Sequence, residues 1–552
     1  MSKQDLLNSL YGIENLATVN ITMPAQDWQN LMHAEPRGGR CNFGYIGDRF
    51  DWFKATSVTI SGSKFPKSGT FADVGIIKKS YCGSFSTTKP SLRLDFARNI
   101  DANEDAAESL FGTKTLTLNN SVQDSSYIRQ TLGYELFRQA GLPYARCNYA
   151  KVVVNGNNMG IYINLEPYKK QFLKNLFMGN DKGNLYELEV GEDLDPAIVA
   201  AGKISFESGV APDQKDLVIA ASQMATNGLV GAKRIVDYPS FIKLFAMETL
   251  LKHWDGFTIN TNNTYIYNDV VAVANPTMNN VKFKFIPCGI DQILQEGRNF
   301  EIGGKAIMAR LIRNDAAGKA DLFAAIRNYA NTLFSKNNYE TVLKPYISRM
   351  ETLLASSGIM PSGEISTVRK QLQLVRSGAY QLIGEFPPEP QLFLQRSIGN
   401  CLHASNTEFI PPNSPPATSP QEVYHYQPTS VPSDSWTIIP SKGTPPATST
   451  IKVKNQAYNT YLHADKTVKT PSGKLNVYAS RSDLPSDDGN NFLVEPSGGF
   501  AGDAWTKTGY FRVKSVVTGN FVAFSETDFT PNGKKEACQT GDSGQAAVLY
   551  LG

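Results

Sequence analysis

Several things this sequence lacks narrow what it can be. No run of 18 apolar residues occurs in its 552 residues, so no segment reads as a membrane-spanning helix. The first twenty residues, MSKQDLLNSLYGIENLATVN, lack the apolar core of a secretory leader. The six cysteines (Cys41, Cys82, Cys147, Cys288, Cys401, Cys538) are scattered and form no Cys-x-x-Cys pair. That argues against a zinc knuckle or dithiol motif and sets reduced thiols in a cytosolic setting as the expectation. Neither sign of charge dominates: a net charge of +3 gives no field strong enough to recruit nucleic acid, and no Lys/Arg block marks a membrane surface. There is no Gly-x-Gly-x-x-Gly either, so any phosphate must be held by other means.

What is present is ordinary for a soluble globular protein, 41% hydrophobic and 19% charged. The length calls for two or three domains. The most informative stretch is HWDGFTINTNNTYIY, from His253 to Tyr267. It contains His-x-Asp, four residues, then Asn, the spacing of a kinase catalytic loop, where the Asp takes a hydroxyl proton and the Asn holds a metal. The apolar run Val281–Pro287 (VKFKFIP) leads to a second carboxylate, Asp291. Phe241–Leu251 has helical apolar spacing and Tyr265-Ile266-Tyr267 has strand composition, so the motif falls on a helix-to-strand connection. Asp and Asn in loops more commonly make turns.

Three segments resemble the CotH family, the spore-coat-type atypical protein kinases: LTLNNSVQDSSYIRQTLGYELFRQAGLPYARCNYAKVVVNGNNMGIYINLEPYKKQFL, HWDGFTINTNNTYIY and FKFIPCGIDQIL. The resemblance runs from about Ala17 to Pro387. It implies a divergent kinase-like fold, ATP with Mg²⁺ or Mn²⁺, and phosphate transfer to a protein hydroxyl. The family's W-D-G-Y and N-Y-Y-L-Y blocks correspond to Trp254-Asp255-Gly256-Phe257 and Asn263-Thr264-Tyr265-Ile266-Tyr267. Its P-W-D-L-D block is matched in part by Pro287-Cys288-Gly289-Ile290-Asp291, with Gly289 replacing the first Asp and removing one carboxylate.

On this reading Asp255 orients or deprotonates the acceptor hydroxyl, Asn260 and Asn263 are alternative amide ligands, and Asp291 chelates the metal. Strand candidates at Ala17–Met23, Thr56–Ile60, Val74–Ile77 and Leu92–Phe96 suggest a nucleotide-covering sheet. Phosphate holders are sought at Gly83-Ser84-Phe85-Ser86 and among Lys78, Lys79, Lys89 and Arg93. By resemblance to the family's K-S-[FY]-R-[IL]-x-F strand, Lys89 and Arg93 come first; the alternative is solvated turn charges. Arg129, in the first turn of a helix over Ile128–Ala140, is badly placed for the helix dipole and suggests an anion nearby, or is a surface residue. Glu166, after the hairpin KVVVN–GIYINL with its turn at Gly156-Asn157-Asn158, either pairs the phosphate-binding lysine or caps the next helix. Helices then follow over Ala320–Phe334, Tyr339–Ala355 and Ile365–Phe386.

Composition changes after Pro387-Pro388-Glu389-Pro390. Gly399–Ser405 (GNCLHAS) recurs as Asn459–Asp465 (NTYLHAD) and loosely as Gly519–Ser525 (GNFVAFS), so Leu402, Leu462 and Val522 sit 60 apart. Three β-rich copies point to a β-trefoil, since no single copy can bury its own apolar face. The resemblance is to ricin-B-like trefoils, although the Q-x-W signature is absent. Leu402 and Leu462 read as core, His403 and His463 as glycan ligands or exposed strand residues, and Pro411–Pro432 as a flexible insertion.

The expectation is therefore an α+β chain: an extension at 1–16, a two-lobed kinase-like domain at 17–387 and an all-β trefoil at 388–552. Its partners are a protein acceptor and a possible glycan, with no nucleic acid and no membrane span. Its setting is cytoplasmic or, by family resemblance, cell-surface or spore-associated. The competing reading is a pseudokinase or adhesion scaffold whose active part is the trefoil. A glycoside hydrolase using Asp255 and Asp291 ranks last, because amides and basic strands suit a metal-phosphate site better.

Overall fold

The computed structural model describes residues 2–384 except 44, 46–47, 63, 65–67, 81, 178–180 and 269–274, and beyond them mainly twelve strands with short flanks. The chain divides into two units, Met1–Leu372 and Gln373–Gly552. Helices and strands both contribute heavily, so the fold class is α+β. Among the described residues no helix is long and apolar enough to cross a membrane.

The first unit begins with a closed seven-stranded barrel. Its strands are β1 (Leu16–Thr22), β2 (Trp52–Ser61), β3 (Gly69–Lys78), β4 (Leu92–Asp95), β5 (Thr115–Asn119), β6 (Cys147–Val154) and β7 (Asn157–Leu165), in the order β1-β2-β3-β4-β5-β7-β6. The β1–β6 pair is parallel and closes the ring. Alternation explains the core: Val19 and Ile21, Val58 and Ile60, Leu92 and Leu94, Val152 and Val154 all point inward and are fully or nearly fully buried. Where a nucleotide-covering sheet is expected, the edge is instead abolished by closure. The β6–β7 hairpin turns at Asn155 and Gly156, both left-handed, one step earlier than the glycine-asparagine turn expected.

The 1–16 segment is no loose extension. Helix Lys3–Tyr11 is capped by a reciprocal Ser2–Asp5 box and gives Leu7, Leu10 and Tyr11 to the barrel core.

A second, four-stranded antiparallel sheet follows, ordered β11 (Phe283–Pro287), β10 (Thr264–Asn268), β8 (Asn184–Leu188), β9 (Ser205–Ser208). Helices Lys215–Ile235, Tyr238–Leu250, Ile307–Asn314, Ala316–Asn331, Lys344–Ser356 and Ser362–Gln373 accompany it.

The second unit opens with helix Val375–Ile383. Its strands are β12 (Leu392–Leu394), β13 (Cys401–Glu408), β14 (Gln421–Tyr426), β15 (Trp436–Lys442), β16 (Thr450–Asn455), β17 (Tyr461–Lys469), β18 (Leu475–Ser480), β19 (Phe492–Pro496), β20 (Tyr510–Ser515), β21 (Phe521–Phe529), β22 (Lys535–Thr540) and β23 (Val548–Tyr550). The sequence repeat is a structural one. Hairpins β13–β14, β17–β18 and β21–β22 share a register, pairing Leu402 with His425, Leu462 with Ala479 and Val522 with Gln539, and each carries an irregularity at the same place. Their second strands also pair with one another. Leu462 and Val522 are fully buried, and His463 is buried too rather than displayed. The side chains of Leu402 and His403, the Pro387–Pro390 stretch, and 411–420 and 427–432 of the expected insertion lie outside the described residues. Strand β14 occupies the middle of that supposed insertion.

One expectation is overturned: Cys41 and Cys82, 41 positions apart, form a disulfide. It ties Cys41, in the connection between β1 and β2, to the turn Cys82–Ser84; such bridges are common in oxidising surroundings and rare in the cytosol. Cys147, Cys288 and Cys538 remain free thiols. Closing a loop of that length stabilises by about 2–4 kcal/mol. Cys82→Ser should lower urea-unfolding stability by that amount, and dithiothreitol should lower the wild type to the same level without affecting the variant.

Candidate active site

The His253–Tyr267 segment runs from just after the helix Tyr238–Leu250 into β10, and its connection is held under strain. Lys252, Thr261 and Asn263 all adopt left-handed backbone conformations, costly for non-glycine residues and concentrated where function constrains a chain. This geometry turns three asparagines onto Asp255. The amides of Asn260 (3.1 Å) and Asn262 (3.0 Å) reach Oδ1 and that of Asn263 (2.9 Å) reaches Oδ2, while Asn263 also bonds the Asp255 carbonyl. The carboxylate of buried Glu248 underpins the turn, accepting the Phe257 and Thr258 N–H groups and the Thr258 hydroxyl. Burial pushes Glu248 up to about 7.

Asp291 comes to the same place from β11. The strand ends at Pro287, and the turn Ile290–Gln292 packs on helix Arg129–Gln139 at Gly133, where a β-carbon would meet Ile290 Cδ1 at 2.8 Å. Two backbone bonds join the connections, Cys288 N–H to Asn263 O (2.9 Å) and Leu294 N–H to Leu251 O (2.8 Å). Asp291 is half-buried. Lost hydration, then the charge of Asp124, then that of Asp255 push it up to about 7, with Arg129 opposing. Asp291 thus feels two other carboxylates, Asp124 and Asp255, the first of them paired with the Arg129 guanidinium. Gly289 is left-handed, and a β-carbon there would run into the Asn263 amide.

A cationic wall stands nearby. Lys79, just past β3, is exposed. Surrounding protein lowers its pKa, opposed by Glu187 and reinforced by Arg93 and Lys169. Glu187 on β8 accepts from Tyr265 Oη at 2.8 Å, and its pKa is raised by burial and by Glu207. Cys288 joins the two sides: burial holds its thiol well above the usual range, and its charged neighbours include Glu187, Lys79, Asp255 and Glu248.

The other sequence-selected residues have different partners. Arg129 is a buried residue bound to Asp124 at 2.7 Å, so it stands behind Asp291 rather than at the surface. Arg93 lies over the Trp52 ring and shares the surroundings of Lys79. Lys89 donates to Ile161 O (2.7 Å) and Tyr127 Oη (3.2 Å) beneath the Tyr127 and Tyr162 rings, and burial pulls it down to about 8. Lys78 donates to the Met32 and Ala34 carbonyls. Glu166 is buried against Arg146 at 2.6 Å, and does not serve a phosphate-binding lysine. Asn260 Oδ1 accepts from Lys305 at 2.9 Å, so it is engaged by the protein.

Residues 80–357, half of the chain, match the family model for the CotH kinase protein. The chain belongs to the CotH family. It is also 37% identical over 62 residues to the inner spore coat protein H-like protein of Bacillus subtilis (strain 168), a match spanning 11% of this chain and 20% of that relative. Among solved structures, a Caenorhabditis elegans structural-genomics protein of unknown function aligns at 19% identity over 30% of this chain and 96% of its own, with a TM-score of 0.26. The SDF2-like protein from Arabidopsis thaliana aligns at 17% over 30% and 91%, with a TM-score of 0.25.

Sequence reasoning about this CotH-family chain missed Asp124, Glu187, Glu248 and Cys288, and ranked Lys79 below Lys89. Asp124 carried a signal, as the capping aspartate ahead of the helix. Glu187 carried none, because its role depends on pairing opposite Tyr265.

The raised Asp291 carboxyl sets a pH test. Folding holds the proton above its ordinary release near 3.8, so the folded state loses stability relative to the unfolded one as pH rises from about 4 to about 7. Asp291→Asn should therefore be more stable than wild type at pH 8 in metal-free buffer, by about 1–3 kcal/mol after allowing for solvent screening. The difference should vanish by pH 4 in denaturant titrations.

Proposed function

We propose that this chain is an ATP- and divalent-metal-dependent atypical protein kinase that transfers phosphate to a protein hydroxyl. The observation that carries this reading is the charge layout: Asp291 has Asp124 and Asp255 among its charged neighbours, and Cys288 has both Asp255 and Lys79, the latter with Arg93 and Lys169 near it. An excess of carboxylates suits a divalent cation, and the cations suit phosphates. Among the described residues no three or more His, Cys, Asp or Glu side chains converge as a metal cluster; Mg²⁺ commonly uses one or two carboxylates together with substrate phosphates. Asp291 would hold the metal, which when bound would supply charge neutralisation. Asp255, fixed by its three amides, orients or deprotonates the acceptor hydroxyl. Lys79 replaces Lys89 as the preferred phosphate contact, with Glu187 in the supporting role once given to Glu166. The three-fold hairpin pattern supports reading the second unit as a β-trefoil that binds the target or a glycan.

The pseudokinase reading keeps one specific support, Gly289 in place of an Asp. Thermal shift separates the two: ATP with Mg²⁺ at millimolar concentration should raise the melting temperature of the kinase and leave a scaffold unchanged. Asp291→Ala should lose at least about 100-fold in labelled-phosphate incorporation with its circular dichroism intact; wild-type labelling would sink the assignment. Gly289→Asp should not raise activity. It forces a side chain into Asn263 and a left-handed backbone, costing about 1–3 kcal/mol in denaturant unfolding.

A further inference from the structure

The Asp255 turn also borders a separate cavity whose lining includes neither Asp255 nor Asp291. This cavity of about 40 Å³ is lined by Glu248 and Thr249 from the end of the helix Tyr238–Leu250, by Lys252, His253 and Trp254 from the turn and by Arg298 and Glu301 from the segment after Asp291. Four polar atoms of its wall have no hydrogen-bond partner within the protein: both ring nitrogens of His253, Nε1 of Trp254 and Oγ1 of Thr249. His253 is completely buried and Thr249 is 2% exposed. Each unmade buried bond costs about 1–3 kcal/mol, so four around one cavity point to an occupant.

The charged groups of the wall are largely engaged already. Lys252 Nζ donates to Gln371 Oε1 at 2.7 Å beside the Phe300 ring, and the Arg298 guanidinium stacks on Trp254 at 4.4 Å. An uncharged occupant suffices, and it must both donate and accept. Trp254 offers an N–H alone. A neutral imidazole offers one N–H and one lone pair, and burial holds His253 down at about 4. A halide would leave that lone pair unmatched, whereas water meets every requirement. The volume admits two or three water molecules.

We propose that this cavity holds an ordered pair of waters bonded to His253, Trp254 and Thr249, and that His253 acts through them as a positioning residue for Asp255. The positioning role rests on the kinase reading; the water site does not. The bridge adds His253 and Trp254 to the ties that Glu248 and Lys252 already make around this cavity, while Asp255 itself is held by asparagines of its own loop.

The test has two arms. A high-resolution crystal structure of the full chain should show two waters within hydrogen-bond distance of those four atoms, while a dry cavity, or an anomalous peak there after a bromide soak, would overturn the site. In kinetics, Thr249→Val removes one water partner at constant shape. It should lower kcat about 5- to 20-fold with KM for ATP within about twofold, and Thr249→Ser should restore it. Wild-type kcat in Thr249→Val would overturn the positioning role. A wild-type protein with no labelling would overturn the kinase reading, with it the positioning role, and leave the water site to be decided by crystallography.

Discussion

Everything about the site depends on one carboxylate being held still. Asp255 receives three amide N–H groups from a loop that cannot supply them in a relaxed conformation, and the left-handed residues Lys252, Thr261 and Asn263 carry that cost. The surroundings must over-determine the geometry. Glu248 does so from below, and the backbone bonds of Cys288 and Leu294 do so from the neighbouring connection. The same bonds bring Asp291 to Asp255, so the loop's shape and the acidic corner are parts of one arrangement.

The acidic corner opposes stability. Asp291 holds its proton up to about 7, chiefly because it loses hydration and further because Asp124 and Asp255 lie near it. A purely structural site would relieve this with another cation. Gly289 fits the same logic: a fourth carboxylate there would displace Asn263 and release Asp255.

Much of the chain was legible in its residues. The alternation in Ala17–Met23, Thr56–Ile60 and Leu92–Phe96 marked barrel strands, and the spacing of Phe241–Leu251 marked the helix that delivers Asp255. The 60-residue repeat announced three matching hairpins, because equal hydrophobic patterns demand equal partners. The failures share a cause. Glu166 and Lys89 were chosen by position in a motif, yet Arg146 claims one and a tyrosine pair with the Ile161 carbonyl claims the other. Reduced thiols were inferred from scattered positions, whereas Cys41 and Cys82 meet through the fold.

Local periodicity and spacing alone were enough to mark most of the strands and helices and the three-fold repeat of the second unit, and to single out Asp255 and Asp291 as candidates. The closing of the first sheet into a barrel, the gathering of Lys79, Glu187 and Asp255 around Cys288, and the filling of the space beside Gly289 by Asn263 had to wait for the folded chain. Those outcomes depend on which distant segments pack together. Burial and neighbouring charge then set what each side chain can do, and neither is written in its sequence position.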